Sequence, residues 1–113
     1  MLKFNSLKKN KEFKNVYNEK KSISDENLII YTKKNILDKN RIGISISKKV
    51  GNSVIRHKII RRIREIFRLN EKYLKKSYDI VVVCKKNVKE IKYENIKESF
   101  LFLCKKKDIL MEQ

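Results

Sequence analysis

The chain has 113 residues, 41% of them hydrophobic, which suits one small domain over residues 1–113 and excludes a second domain. A formal net charge of +17 exceeds what solubility needs and indicates a polyanionic partner, nucleic acid first and an anionic membrane surface second. No apolar run approaches the roughly twenty residues that a membrane-spanning helix needs, so we expect no segment within a bilayer.

The first predicted element is a short helix from Asn10 to about Glu19, in which Phe13, Val16 and Tyr17 share one face. The simplest interpretation is that this face packs against the core. A second interpretation starts from the lysines around the two aromatic residues, because proteins hold single-stranded nucleic acid with stacked aromatic rings beside lysines. The residues alone favour the core interpretation and leave the second one open.

Strands follow this helix. The β-branched and aromatic residues 28–34 predict a strand, with a brief one before it at 22–24. Residues 41–47 ("RIGISIS") alternate isoleucine with glycine or serine, which predicts a strand with its isoleucines facing the core and the small residues facing outward. Residues 78–86 ("YDIVVVCKK") predict a strand buried on both faces, and residues 93–107 predict a last helix.

The two cysteines, Cys84 and Cys104, lie in apolar surroundings along the chain. Buried thiols in a reducing cytosol are favoured over a disulfide between them. The N-terminus lacks the apolar stretch of a secretory signal, so we expect a cytoplasmic protein. With one histidine and no CxxC spacing, the sequence does not support a zinc site, and we expect no cofactor on the protein.

The segment "SKKVGNSVIRHKIIRRIREIFR", residues 47–68, holds five of the six arginines of a chain that otherwise uses lysine for positive charge. Most of it lies in a predicted helix from about Asn52 to Asn70. One stripe of this helix is apolar and is predicted to face the sheet: Ile55, Ile59, Ile63, Ile66 and Phe67. A neighbouring stripe is basic, formed by His57, Arg61, Arg64 and Arg68 and widened toward solvent by Arg56, Lys58 and Arg62.

The composition of this basic stripe distinguishes it from an ordinary solvated face. No acidic residue occurs from Lys39 through Arg64, so the helix lacks the Glu–Lys pairs that usually support an exposed helix. Lysine would serve solubility equally well, whereas arginine offers a planar guanidinium that grips phosphate through two hydrogen bonds or stacks on a base. We therefore interpret the stripe as a nucleic-acid-binding surface on which geometry matters as well as charge.

The residues just before this helix extend the basic surface. Lys48 and Lys49 precede Gly51, which is expected either to adopt a positive φ or to allow a close approach of the backbone. Asn52 is the predicted N-cap, and the exposed amides of the first helical turn are expected to form an anion site beside the two lysines.

At these residues the chain resembles the bacterial ribonuclease P protein subunit family, whose pattern is close to S-K-K-x-G-N-A-V-x-R-N-R-x-K-R-x-x-R. The residues that match it are Ser47, Lys48, Lys49, Gly51, Asn52, Val54, Arg56, Arg61 and Arg64. The segments "LKKNKEFKNVY", "LIIYT" and "YDIVVVCKK" resemble the opening helix, the aromatic-bearing strand and the last strand of that family, so the resemblance covers nearly the whole chain.

Four positions depart from the family pattern. Ser53 and Ile60 replace its usual Ala and Lys, and His57 and Lys58 replace its Asn and second Arg. His57 cannot present the paired donor and acceptor of an amide, and Lys58 keeps the charge but loses the planar guanidinium. Arg62, where the family often has an apolar residue, adds a charge that partly compensates.

The resemblance implies a single α+β domain with the order α-β-β-β-α-β-α, a four-stranded mixed sheet and a left-handed βαβ crossover, as in some ribosomal proteins. It implies a noncatalytic protein that joins a large catalytic RNA, with which it removes the 5′ leader of precursor tRNA using Mg²⁺ held by the RNA. No membrane and no obligatory protein partner are expected. The residues implied to bind the catalytic RNA are Lys48, Lys49, Asn52, Arg56, His57, Lys58, Arg61, Arg62, Arg64 and Arg68. The leader cleft of the family maps onto Lys9, Phe13, Tyr17 and Tyr31.

Three other function classes fit parts of the sequence. A ribosomal or other structural RNA-binding protein needs only the arginine face. An aromatic cleft in addition to that face would therefore favour the ribonuclease P family. A helix-turn-helix DNA-binding protein is disfavoured because strands flank the basic helix. Autonomous nuclease activity is disfavoured because His57 is the sole histidine and no cluster of carboxylates lies near it in the sequence.

Overall fold

The computed structural model describes residues 6, 7, 10–19 and 22–111. Its helices are α1 (Asn10–Tyr17), α2 (Ser53–Asn70) and α3 (Tyr93–Lys106), and its strands are β1 (Ser22–Ser24), β2 (Leu28–Lys34), β3 (Arg41–Ile46) and β4 (Tyr78–Cys84). The predicted α-β-β-β-α-β-α order is confirmed, including the brief first strand, although α1 ends two residues before Glu19. None of these helices is long and apolar enough to cross a membrane.

The four strands form one mixed sheet in the order β1-β2-β4-β3. Strand β2 pairs in antiparallel fashion with β1 and β4, whereas β3 and β4 are parallel. A tight turn cannot join parallel neighbours, so the chain passes through α2 between them, as the predicted strand–helix–strand unit requires. Strand β4 therefore lies inside the sheet, and most of its side chains are buried on both faces.

One face of the sheet carries the main hydrophobic core, beneath α2 and α3. Isoleucines of β2, β3 and β4 that point to this side pack against both helices. Phe67 of α2 and Phe100 of α3 are the largest of the fully buried side chains. Burying a side chain of this kind stabilises the fold by about 1.5–3 kcal/mol, because apolar surface leaves water.

The sequence of α2 fixes both its start and its buried side. Asn52 is the N-cap, as predicted, and its side-chain Oδ1 accepts a hydrogen bond from the backbone N–H of Ile55 at 3.0 Å. Ile55 is half-buried, and the other four residues of the apolar stripe are buried in the core. The opposite side of α2, which carries the basic stripe, therefore faces solvent.

Two alternatives were predicted for Gly51 in the turn into α2, a positive φ or a close approach of the backbone, and the structure has the second. Residues Lys48–Val50 form a 3₁₀ turn, and Gly51 is extended with φ 168° and ψ −175°, so a positive left-handed φ is wrong. The close approach is present instead, because a Cβ on Gly51 would lie 2.9 Å from Cγ2 of Ile55. Gly51 thus allows Ile55 to fold back over the turn and reach the core.

Helix α1 packs on the other face of the sheet. Val16 is fully buried there with Val81 and Leu7 in a second, smaller cluster. Phe13 and Tyr17 pack against this cluster but remain half-buried. The core interpretation of α1 is therefore correct for Val16, while the two aromatic residues keep part of their surface open to solvent.

Both cysteines are free and buried, as predicted. Burial raises the pKa of the Cys84 thiol to about 12 and also raises the pKa of the Cys104 thiol, because the charged thiolate loses its water. Only the thiolate reacts readily with alkylating reagents, so both side chains should be chemically inert in the folded protein.

We expect iodoacetamide at pH 8 to alkylate Cys84 and Cys104 at least about 100-fold more slowly in the folded protein than in denaturant. Mass spectrometry of timed samples measures both rates. Rapid modification of either thiol without denaturant would contradict burial. Thiols that react in denaturant only after a reductant is added would contradict the reduced state.

Candidate nucleic-acid interface

The outward side of α2 presents the predicted basic stripe to solvent. Four of its residues are exposed and three are half-buried. The exposed residues are His57, Lys58, Arg61 and Arg64, and the half-buried residues are Arg56, Arg62 and Arg68. The structure therefore brings all seven onto one helix, with the half-buried arginines at its margins and at its C-terminal end.

The half-buried arginines make only weak contacts within the protein. The Arg68 guanidinium lies 3.7 Å from the Glu65 carboxylate, and both side chains are substantially exposed, so this pair contributes little to stability. Arg62 donates a long hydrogen bond of 3.4 Å to the carbonyl of Ile91. Within the described part of the chain, the buried Nε of Arg56 has no hydrogen-bond partner. These guanidinium groups retain donors for an external acceptor.

Arg41, the one arginine outside the basic segment, has different surroundings. Its guanidinium donates to both carboxylate oxygens of Asp79 and to Glu12 at 2.6–2.8 Å. The hydrogen bond to Asp79 raises the pKa of Arg41 above its ordinary value. Its charge is compensated inside the protein, so Arg41 does not belong to the basic surface.

The start of α2 extends the basic surface as predicted. Lys48, Lys49 and Asn52 are exposed, and the first turn of α2 contains no acidic residue that would oppose an anion there. Val54 is 75% exposed in the same turn and adds an apolar contact surface among the positive charges.

A second surface lies on the opposite face of the sheet, where α1 crosses the strands. Cα pairing places Tyr31, Val81 and Gly43 side by side across β2, β4 and β3. The rings of Tyr17 and Tyr31 meet edge to face with centroids 4.9 Å apart. Phe13 covers Gly43 at the other end of this row. The structure thus brings Phe13, Tyr17 and Tyr31 together, whereas Lys9 lies outside the described residues.

The next row along the strands forms an open floor beside α1. It consists of Ile29, Val83 and Ser45, which the strand register aligns and which are all half-buried. We call this row and the three aromatic residues the aromatic groove. The floor residues were not predicted from the sequence, because their alignment depends on pairing between strands that are distant along the chain.

The described residues of the two surfaces lack the cluster of ligands that a metal site needs. Among the described residues, no three His, Cys, Asp or Glu side chains lie close enough to hold a metal ion. His57 is exposed on α2, and its nearest acid in the helix sequence is Glu65. The arrangement is suited to binding through charge, hydrogen bonds and stacking.

Comparison with known proteins agrees with this description. The family model described as Ribonuclease P matches residues 1–108 of the chain. A ribonuclease P protein component of Alkaliphilus metalliredigens is 44% identical over 106 residues, which cover 94% of this chain and 96% of that protein. A structure of the Staphylococcus aureus RNase P protein matches with a TM-score of 0.87 and 33% identity, covering 96% of this chain and 99% of that one. The RNase P protein from Thermotoga maritima matches with a TM-score of 0.83 and 31% identity over 91% of this chain and 97% of its own.

Proposed function

The chain belongs to the ribonuclease P protein family, which gives it a role in ribonuclease P and in tRNA processing, and we propose that it acts there as an RNA-binding subunit with two surfaces. The basic face of α2 binds the catalytic RNA, and the aromatic groove binds the 5′ leader of precursor tRNA. The subunit thereby assists endonucleolytic removal of the leader and broadens the range of substrates.

The observation that carries this proposal is the solvent-facing basic stripe of α2. His57, Lys58, Arg61 and Arg64 are exposed, the Arg68 guanidinium lies 3.7 Å from the Glu65 carboxylate, and Arg62 donates a long hydrogen bond of 3.4 Å to the carbonyl of Ile91. Arginine binds phosphate through two parallel hydrogen bonds, and a helix that packs firmly on a core holds these donors in fixed positions. In place of the family's Asn and Arg, His57 offers a single hydrogen bond and Lys58 keeps the positive charge.

The aromatic groove supports leader binding by the chemistry of its surface. Half-buried aromatic rings beside the aliphatic side chains of Ile29 and Val83 suit unpaired bases, which stack whatever their sequence. Tyr17 and Tyr31 also carry hydroxyl groups that can donate to a sugar or phosphate. A duplex has its bases already stacked, so the groove favours the single-stranded leader over the paired stem of the tRNA.

Cleavage itself is assigned to the RNA partner. The protein supplies charge neutralisation and substrate contacts, while Mg²⁺ held by RNA phosphates would supply the metal-ion chemistry of the cleavage. The holoenzyme is then a ribonucleoprotein endonuclease, and the protein alone is a binding subunit that works in the cytoplasm without an obligatory protein partner.

The alternative function is that of a ribosomal or other structural RNA-binding protein. Such a protein would use the basic face and would have no need for a groove with half-exposed aromatic rings. Purifying the protein from its host and sequencing the attached RNA separates the two. A catalytic RNA with precursor-tRNA cleavage activity is the expected result, and ribosomal RNA would overturn the proposal.

We expect Arg61→Ala to weaken binding to the catalytic RNA and to lower the slope of log Kd against log salt by about one unit, because one phosphate contact is lost. Filter binding over a series of salt concentrations measures the slope. Lys105→Ala, an exposed residue at the end of α3, is the matched control because it removes the same charge elsewhere. Equal losses of affinity in the two variants would show that the protein binds RNA through its overall charge and not through the basic face of α2.

We expect Phe13→Ala to lower holoenzyme affinity for precursor tRNA roughly fivefold or more, because a base loses its stacking partner, and to leave affinity for mature tRNA unchanged. Equilibrium binding to both tRNAs measures the ratio. Phe102→Ala is the control, since Phe102 is 51% exposed on α3 with the Lys106 ammonium 5.4 Å from its ring centroid. A similar loss of affinity for both tRNAs would indicate that Phe13 only packs against the core and does not contact the leader.

A further inference from the structure

Arg41 joins the first helix to the sheet through two carboxylates. Two of its hydrogen bonds go to Asp79, from Nε to Oδ1 at 2.8 Å and from NH2 to Oδ2 at 2.7 Å. A third goes from NH1 to Oε2 of Glu12 at 2.6 Å. Asp79 is fixed in turn by Asn35, whose Nδ2 donates to Oδ1 at 2.9 Å. Arg41 of β3 and Asp79 of β4 are paired within the sheet, whereas Glu12 belongs to α1. The bond to Glu12 is therefore the one that ties the helix to the sheet.

These ion pairs are partly shielded from solvent. The side chains of Arg41 and Glu12 are 24% and 26% exposed, and that of Asp79 is 9% exposed. Partial burial reduces screening by water, and the two parallel hydrogen bonds to Asp79 fix the plane of the guanidinium. The NH1 group of Arg41 is therefore directed at one position on α1, the Glu12 carboxylate.

Gly43 provides a second contact on the same side of β3, two residues beyond Arg41. A Cβ at this position would lie 2.5 Å from Cζ and 2.6 Å from Cε1 of Phe13, and 3.2 Å from Cβ of Leu7. The ring of Phe13 therefore rests against the strand backbone where a side chain would otherwise stand. Glu12 and Phe13 are adjacent on α1, so the two contacts together fix both the position and the rotation of the helix.

We propose that Arg41 and Gly43 are positioning residues for leader recognition: they hold α1 so that Phe13 and Tyr17 stand beside the floor formed by Ile29 and Val83. Neither residue contacts the leader, and Arg41 binds no RNA phosphate. This inference rests on the proposed function of the aromatic groove. It assigns a purpose to the sixth arginine, which lies outside the basic segment.

Glu12→Gln distinguishes a positioning role from a simple electrostatic effect, because the two predict opposite changes in affinity for precursor tRNA. Removing a negative charge from an RNA-binding protein should strengthen binding to every RNA. Replacing the charged contact with Arg41 by a weaker neutral hydrogen bond should instead loosen α1 and lower holoenzyme affinity for precursor tRNA at least about threefold, with affinity for mature tRNA unaffected. The control is Glu19→Gln, which makes the same charge change at an exposed position just after α1.

Two further variants test the same mechanism. Arg41→Gln should lower precursor affinity without changing the salt slope of binding, whereas loss of a direct phosphate contact would lower that slope by about one unit. Gly43→Ala should lower precursor affinity in the wild-type background and have a smaller further effect combined with Phe13→Ala, because its Cβ then meets no ring and only the 3.2 Å contact with Leu7 remains. Circular dichroism and thermal unfolding identify variants that fail to fold.

The outcomes separate this inference from the proposed function. Equal effects of Glu12→Gln and Glu19→Gln, or a reduced salt slope in Arg41→Gln, would overturn the positioning role while leaving leader binding intact. A wild-type holoenzyme that binds precursor and mature tRNA equally would overturn the proposed leader groove and the positioning role with it.

Discussion

Burial of the apolar stripe of α2 is the interaction on which the rest of the structure depends. The opposite side of this helix carries Lys58, Arg61 and Arg64 with no acidic residue before Glu65, and these like charges repel one another. Packing of Ile63 and its neighbours against the sheet offsets that repulsion and keeps the segment helical. The same packing holds the positive charges on a rigid surface, so the proposed contact with RNA would not require the helix to be ordered first.

The arginines fall into two groups according to their surroundings. Arg41 is compensated within the protein by Glu12 and Asp79, at distances of 2.6 and 2.7 Å. The arginines of α2 face outward or lie at the margins of the helix, and Arg68 lies no closer than 3.7 Å to the carboxylate of Glu65. In Arg41 the planar guanidinium does what a lysine ammonium cannot, because it holds two acceptors in a fixed plane. The phosphate contacts proposed for the α2 arginines would use the same geometry.

The periodicity of the sequence was sufficient to predict α2 and β4, because a buried stripe at 3.6 residues and a continuous apolar run are each tied to one kind of element. It was not sufficient for the aromatic groove, whose floor depends on the register of β2, β4 and β3. Gly43 lies on the face of β3 opposite the buried Ile42, as predicted, but the prediction that it faces outward is wrong, because Phe13 of α1 crosses the strand there and buries it. A glycine within a strand was the available signal, since it often marks a close approach. At Gly51 the sequence left two alternatives, and packing of Ile55 decided for the close approach.

The central claim is that one protein uses two separate surfaces for two RNAs, and directed hydroxyl-radical cleavage tests it most directly. Because both native cysteines are buried, an iron chelate can be attached selectively to a cysteine introduced by His57→Cys on α2 or by Ser24→Cys, an exposed position paired with Ile29 at the groove. In the holoenzyme bound to precursor tRNA, the chelate at position 57 should cleave the catalytic RNA and the chelate at position 24 should cleave the 5′ leader. Cleavage of the same RNA segment from both positions, or of the leader from position 57, would contradict the account.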